Sequence, residues 1–262
     1  MGVPHMVMKH YDPMIGVDFH MVTIPPAPPA GPSPYATLSL LNGLLIFFTP
    51  LPKQHTVYGI TVAKGSDIGG GIPHIGPPSV DLPLTIIGSG SKCHFGSANY
   101  KVQGKPPGLA LAITLNPNLN CGTPVPTPTG GVLCFSTHAA GMSVGDIIAG
   151  LLTMAADAAM QAAFNALGNA VGGGLGGFAL TFLIGTPLGP GLGNTNLYVD
   201  KDGNGWSPGG AVEGWVSNLS DNTGKAVDDY LNGKPAHIDI PDIATPTQAT
   251  PALRKPSNVD LL

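Results

Sequence analysis

At 262 residues the chain can bury a real core, as one large domain or as a domain with an extension. A net charge of −4, with the lysines and the lone Arg254 scattered, provides no basic surface for nucleic acid, and that class of partner is set aside. Glycine (38) and proline (28) would suggest disorder in a polar chain, but 43% of residues are hydrophobic and 10% charged, so over residues 36–200 they read as punctuation between short buried strands. Cys93, Cys121 and Cys134 are an odd number, which argues against a disulfide framework and for a reducing compartment or a metal.

The N-terminal stretch MGVPHMVMKHYDPMIGVDFH lacks a positively charged region leading into an apolar core. No secretory signal peptide is expected, and the protein is expected in the cytoplasm at assembly, with any export left to a dedicated apparatus. Residues 1–35 end in IPPAPPAGPSPY, whose fixed φ angles predict an extended polyproline strap over a surface. Then come short apolar or alternating runs: LLIFFT (44–49), TVYGITVA (56–63), LPLTII (82–87), NYKVQ (99–103), LALAITL (109–115) and VLCF (132–135). Gly, Pro, Asn and Ser between them predict a succession of β-hairpins.

Ser143 opens a different regime, with Asp146 placed to suit the dipole of a helix expected over 143–171 and stopped by three glycines. Thr153, Asp157, Gln161, Asn165 and Asn169 recur every four positions as a polar stripe on an otherwise apolar or small-residue cylinder. From Pro106 to Val199 the only Asp, Glu, Lys or Arg residues are Asp146 and Asp157, which implies burial against copies of the chain, a partner or lipid. Asp157 and the shortness of the second apolar run, FALTFLIG (178–185), weigh against a simple membrane span. After Asp200 the chain turns polar, with a short helix expected from Lys225 to Leu231, stopped by Gly233, and a mobile or extended Pro/Thr-rich tail.

Among groups that carry chemistry, His20 in GVDFHMV, His74 in GIPHIGPP and Cys121 in NLNCGTP suit a transition metal, zinc in particular, because imidazole and thiolate are its preferred ligands. Three ligands from separate hairpins would tie converging strands together. His10 is favoured as the fourth, with His94 and His138 as alternatives. Asp200-Lys201-Asp202-Gly203-Asn204-Gly205 opens like a calcium loop, but Ala211 stands at its twelfth position and Glu213 comes two residues late, so a tight turn is the plainer reading. The string GWSPG (205–209) lacks the N–H after Ser207 that a nucleophile elbow needs, Ser136-Thr137-His138 beside Cys134 are too close in sequence to face one another, and no catalytic set is found.

The ordered series DPMIGVDFHMV (12–22), GIPHIGPP (71–78), GSGSKCHFGSANYKVQGKPP (88–107) and NLNCGTPVPTP (118–128) resembles PAAR-like proteins, the pointed caps of contractile injection systems such as the type VI secretion spike. The match covers the first half of the chain, and the Ala-Ala-Arg that names the family is replaced after Gly104-Lys105-Pro106 by Pro-Gly-Leu. The resemblance implies a mainly β cone of short hairpins on a trimeric VgrG-type needle, sharpened by zinc at His20, His74 and Cys121 and able to attach effector cargo. On this expectation residues 1–140 form the cone with its strap, 141–195 an apolar helical accessory region and 196–262 a polar, partly extended region. The function expected is that of a non-enzymatic spike tip. Its rival is a secreted membrane-active effector that uses the PAAR-like half for delivery.

Overall fold

The computed structural model describes residues 3–41, 54–56, 59–68, 72–80, 82–83, 86, 90–121, 125–184, 198–199, 205–246 and 248–249. Among the described residues the strands are β1 (Val3–Met6), β2 (Pro13–Val22), β3 (Ala30–Leu40), β4 (Gln54–Thr56), β5 (Gly59–Thr61), β6 (Asp67–Ile68), β7 (His74–Ile75), β8 (Ser91–Lys92), β9 (Leu115–Asn118), β10 (Gly130–Leu133), β11 (Ala139–Met142), β12 (Tyr198–Val199), β13 (Gly205–Trp206) and β14 (Gln248–Ala249). Helix α1 spans Val144–Ile184 and α2 spans Pro208–Leu231. The largest sheet is antiparallel in the order β7-β3-β2-β10-β9, and β1-β11, β4-β5, β6-β8 and β13-β12-β14 form smaller sheets. With helices of 41 and 24 residues the chain is mixed α and β rather than mainly β, and the described residues do not close into a cone.

Several local expectations change for identifiable reasons. The proline-rich run is not a polyproline strap: Ala30–Leu40 pairs along β2, from Ala30↔Val22 to Leu40↔Pro13. Pro32 and Pro34 are tolerated because β7 pairs only with Ala36 and Thr37, leaving the proline end of β3 as an edge. NYKVQ is not a strand. Gln103 (φ 51) and Gly104 (φ 82) form a two-residue turn in which Val102 and Lys105 exchange backbone hydrogen bonds of 2.8 and 3.2 Å. LALAITL is likewise broken by a turn at Ile113 (φ 43), and β9 begins only at Leu115. In LPLTII the described residues Leu82, Pro83 and Ile86 are helical, and LLIFFT lies outside the described residues.

The core on the inner face of the main sheet gathers Met14 and Val132 with Met8, Ile68, Cys93 and Cys134. A second cluster, Val7, Phe95, Leu109, Met142 and Met154, carries this body onto α1. Gly150 of α1 abuts the Phe95 ring so closely that a Cβ would sit 2.5 Å from it.

Helix α1 starts where Ser143 and Asp146 predict. The Ser143 Oγ accepts from the Asp146 N–H at 3.0 Å and the Asp146 carboxylate accepts from the Ser143 N–H at 2.9 Å, a reciprocal cap. Asp228 of α2 adds to it, its carboxylate accepting from the Gly145 N–H at 2.9 Å and from the Ser143 hydroxyl at 2.5 Å. The glycines at 172–174 do not stop the helix, which continues to Ile184. Helix α2 is longer than the expected Lys225–Leu231 and begins at Pro208, because Ser207 is its N-cap and accepts from the Gly210 N–H at 3.1 Å. Its end at Leu231 with Gly233 at φ 71 is as expected.

The two helices cross at Gly145 and Gly224, where a Cβ on either would run into the other's backbone carbonyl. Gly224→Ala should therefore separate the helices and lower the melting temperature by several degrees. Gly214→Ala, in the same helix with nothing within 4 Å of its Cβ position, should raise stability by about 0.5–1 kcal/mol. Thermal unfolding of the two variants checks the crossing: equal effects would contradict it.

Candidate metal centre

Strict alternation along β2 turns Met14, Asp18, His20 and Val22 inward and Ile15, Val17 and Met21 outward, so Asp18 and His20, two apart, share the inner face. His74 reaches the same place from β7, whose register sets Thr37 opposite His74, and Cys121 follows the end of β9. One donor atom from each of Asp18, His20, His74 and Cys121 lies within 4.8 Å of the other three, and all four residues are buried. The Cys121 Sγ is 2.9 Å from the His20 Nε2 and 3.4 Å from the His74 Nε2, and the His74 Nε2 is 2.7 Å from the Asp18 Oδ2.

The surroundings hold these groups in place. The His74 Nδ1 faces the Ile72 carbonyl at 2.7 Å, which leaves Nε2 directed at the other three donors. The Asp18 Oδ1 accepts from the Cys121 N–H at 3.2 Å, so one carboxylate oxygen is fixed while the other faces the cluster. Tyr35, fully buried on β3, packs its ring 5.5 Å from the His20 ring and 6.3 Å from the His74 ring. Gly76 makes this possible, because a Cβ there would sit 2.5 Å from the Tyr35 ring. The glycine two residues after His74 is thus part of the site's construction.

Burial alone would push the Asp18 carboxyl up, but hydrogen bonds from His74 and Cys121 outweigh it and hold the group below the usual carboxylate value. A divalent ion on one carboxylate, one thiolate and two neutral imidazoles makes a set with no net charge, which suits a buried position. Tetrahedral zinc with bonds of about 2.0–2.3 Å places its ligands about 3.3–3.7 Å apart, so the closest pairs here need to open by less than about 1 Å. The buried group could bind a metal such as zinc. An adjoining cavity of about 30 Å³, lined by Asp18, Asn118 and Cys121 among others, is far smaller than the roughly 300 Å³ of an organic-ligand site.

The structure brings His20, His74 and Cys121 together as the sequence suggests, and makes Asp18 the fourth donor. His10, favoured from sequence, is not in the group: it is buried in the turn before Tyr11, with its N–H on the Ile60 carbonyl. His94 pairs with Asp157 of α1 at 2.9 Å, and the His138 ring meets the Tyr100 hydroxyl at 2.7 Å. Sequence reasoning missed Asp18; the signal that could have found it is D-x-H on a strand, a spacing that puts both side chains on one face. Cys93 and Cys134 are buried core thiols; burial pushes Cys93 up to about 12 and Cys134 higher still. The calcium-loop residues 200–204 lie outside the described residues, while Glu213 reaches Lys92 at 2.7 Å and Ala211 is buried in α2. Ser207 of GWSPG serves as a helix cap.

No family model matches the chain, and no curated protein or solved structure matches it.

Thiol reactivity with Ellman's reagent at neutral pH should separate the three cysteines. None reacts in the zinc-loaded protein, Cys121 alone reacts after chelation, and all three react in denaturant; reactivity unchanged by chelation would remove Cys121 from the site. Asp18→Asn should weaken zinc binding by about tenfold or more, whereas His10→Ala should leave it unchanged, as read by competition with a chromogenic chelator. Zinc retention should fall as pH is lowered, because protons compete with the metal for its ligands, as read by zinc content after dialysis.

Proposed function

We propose that the chain is the zinc-braced, non-catalytic tip of a contractile injection apparatus, its broad sheet docking on a trimeric VgrG-type spike protein. The observation that carries this reading is the outer face of the main sheet. Ile15 and Val17 of β2, Leu38 and Leu40 of β3, Ile75 of β7 and Leu115 of β9 are all exposed. The five strands contain one charged residue, Asp18, and it faces inward to the metal group. An uncharged aliphatic surface of this extent on an open sheet marks a face made for a protein partner. The metal group lies on the opposite face, so an ion there would lock β2, β3 and β7 without occupying the docking surface. The segments after residue 140 are then available for effector or chaperone attachment, and the protein works in the cytoplasm until the apparatus exports it. Leu38→Asp with Ile75→Asp should abolish capture of the chain by the trimeric spike protein while zinc content and melting temperature stay unchanged. Capture that survives both charges would overturn the docking face.

A specific feature of α1 supports a second reading, contact with a membrane during delivery. The helix buries its polar side, with Asp157 and Gln161 inward, and exposes Leu151, Leu152 and Leu167. Val144–Leu167 is long and apolar enough to cross a bilayer, with 28% of its most apolar window buried. Flotation of the full chain with phospholipid vesicles tests this: co-flotation lost on Leu151→Glu and Leu152→Glu favours the membrane, and a chain that stays at the bottom with vesicles present excludes it.

A further inference from the structure

The cavity beside the metal group has a feature that holding a metal does not use. Its volume of about 30 Å³ is about twice the roughly 10–15 Å³ that one water needs, so it takes two bonded oxygen atoms and little more. Several polar side chains of its lining are already committed. The Ser91 hydroxyl donates to the Leu119 carbonyl at 2.6 Å, and the Asn120 Nδ2 donates to the Val125 carbonyl at 3.1 Å and the Thr127 hydroxyl at 2.8 Å. The Asp18 Oδ1 accepts from the Cys121 N–H while its Oδ2 faces His74.

Asn118 differs. It is 2% exposed, it lines the cavity, and its Nδ2 has no hydrogen-bond partner among the described residues. Its side chain is accommodated because β10 sets Gly130 opposite it, where a Cβ would sit 2.2 Å from the Asn118 Oδ1. A buried amide donor left unmade is costly, so its presence beside a cavity points to a small acceptor held there.

The third element of the lining is sulfur. Cys121 shares the cavity with Asp18 and Asn118, and a metal on its Sγ holds it as thiolate, the nucleophilic form. An occupant therefore has about two heavy atoms, accepts from the Asn118 amide, and meets a thiolate. Water satisfies the first two conditions without reacting, and bulky thiol reagents fail the first. Hydrogen peroxide fits in size, accepts the hydrogen bond and reacts with thiolate.

We propose that this cavity admits hydrogen peroxide to the Cys121 sulfur, which makes Cys121 an oxidisable ligand and the metal centre responsive to peroxide. The sulfur attacks one peroxide oxygen; the S–O bond forms as the O–O bond breaks. Sulfur gives up two electrons and becomes a sulfenic acid, and the second oxygen leaves as hydroxide, which takes a proton from solvent to become water. The Asn118 Nδ2 donates to that departing oxygen. A sulfenic acid is a poorer ligand than a thiolate, so the ion left on Asp18, His20 and His74 is released. Cys93 and Cys134 are core thiols outside this lining and are spared. The proposal rests on the metal centre described above, and needs nothing of the docking face.

The test uses the full chain loaded with zinc and treated with dilute hydrogen peroxide. A chromogenic chelator reads released zinc, and dimedone with peptide mass spectrometry locates sulfenic acid. Zinc release is expected in step with labelling of Cys121 alone. Asn118→Leu, which keeps the side chain's shape and removes its amide, should slow release by about tenfold, as expected for losing a hydrogen bond to a developing charge. tert-Butyl hydroperoxide, with the same reactive bond but too bulky for the cavity, should release almost no zinc in the same time, each reagent being scaled to its rate with the denatured chain. Zinc retained under peroxide, equal scaled rates for the two peroxides, labelling of Cys93 or Cys134 in place of Cys121, or an unslowed Asn118→Leu would each overturn the proposal, and the comparison of peroxides depends on no variant. Zinc content measured before peroxide is added separates this from failure of the metal centre itself: a chain that never holds zinc overturns both, whereas zinc that is bound and retained overturns the peroxide response alone.

Discussion

Burying a carboxylate, two imidazoles and a cysteine sulfur within 4.8 Å of one another is unfavourable unless their charges and hydrogen bonds are balanced, and the main sheet is arranged around that requirement. β2 supplies Asp18 and His20 from one face, β7 supplies His74, and the chain beyond β9 supplies Cys121. These residues are up to 103 positions apart, as with Asp18 and Cys121, so an ion bound by all four would close long loops and hold the sheet's edges in register. The Tyr35 ring packs against both imidazoles, in space that the bare Gly76 leaves open to it. Because both inner-face ligands of β2 point away from Ile15 and Val17, a single alternation commits one side of the sheet to the metal group and leaves the other uncharged.

The same economy holds the helices to the sheets. In the short stretch Ser91–Phe95, the Ser91 hydroxyl donates to the Leu119 carbonyl, Lys92 pairs with Glu213 of α2, Cys93 is core, His94 pairs with Asp157 of α1, and Phe95 fills the space left by Gly150. Burial pushes the Glu213 carboxyl up while the Lys92 ammonium beside it pulls the other way, so this contact is finely balanced rather than a large source of stability. Asp157 explains part of the long stretch nearly free of charge: a lone acid there is retained because His94 receives it. The outward leucines of α1 have no such explanation inside the chain.

Much of the metal group was readable from residue types, since His20, His74 and Cys121 are the soft and borderline ligands near turns. Asp18 was not, because a carboxylate beside an outward-facing Val17 looks like any surface acid until strand alternation turns it inward. His10 was equally plausible by type, and only the pairing of its segment with β5 separates it from the cluster. The start of α1 was legible from Ser143 and Asp146, whereas its end was not: the helix runs on through glycines whose intrinsic cost is about 1 kcal/mol each. The strand misreadings at NYKVQ and LALAITL share a cause, since β-forming side chains sit on backbone that Gln103, Gly104 and Ile113 take into positive φ.

X-ray absorption at the zinc edge of the protein as purified tests whether Asp18, His20, His74 and Cys121 form one metal centre. One zinc per chain is expected, with a single sulfur at about 2.3 Å and three nitrogen or oxygen neighbours at about 2.0–2.2 Å, two of them with imidazole scattering. A zinc without sulfur, a zinc with several sulfurs, or no stoichiometric metal would contradict it.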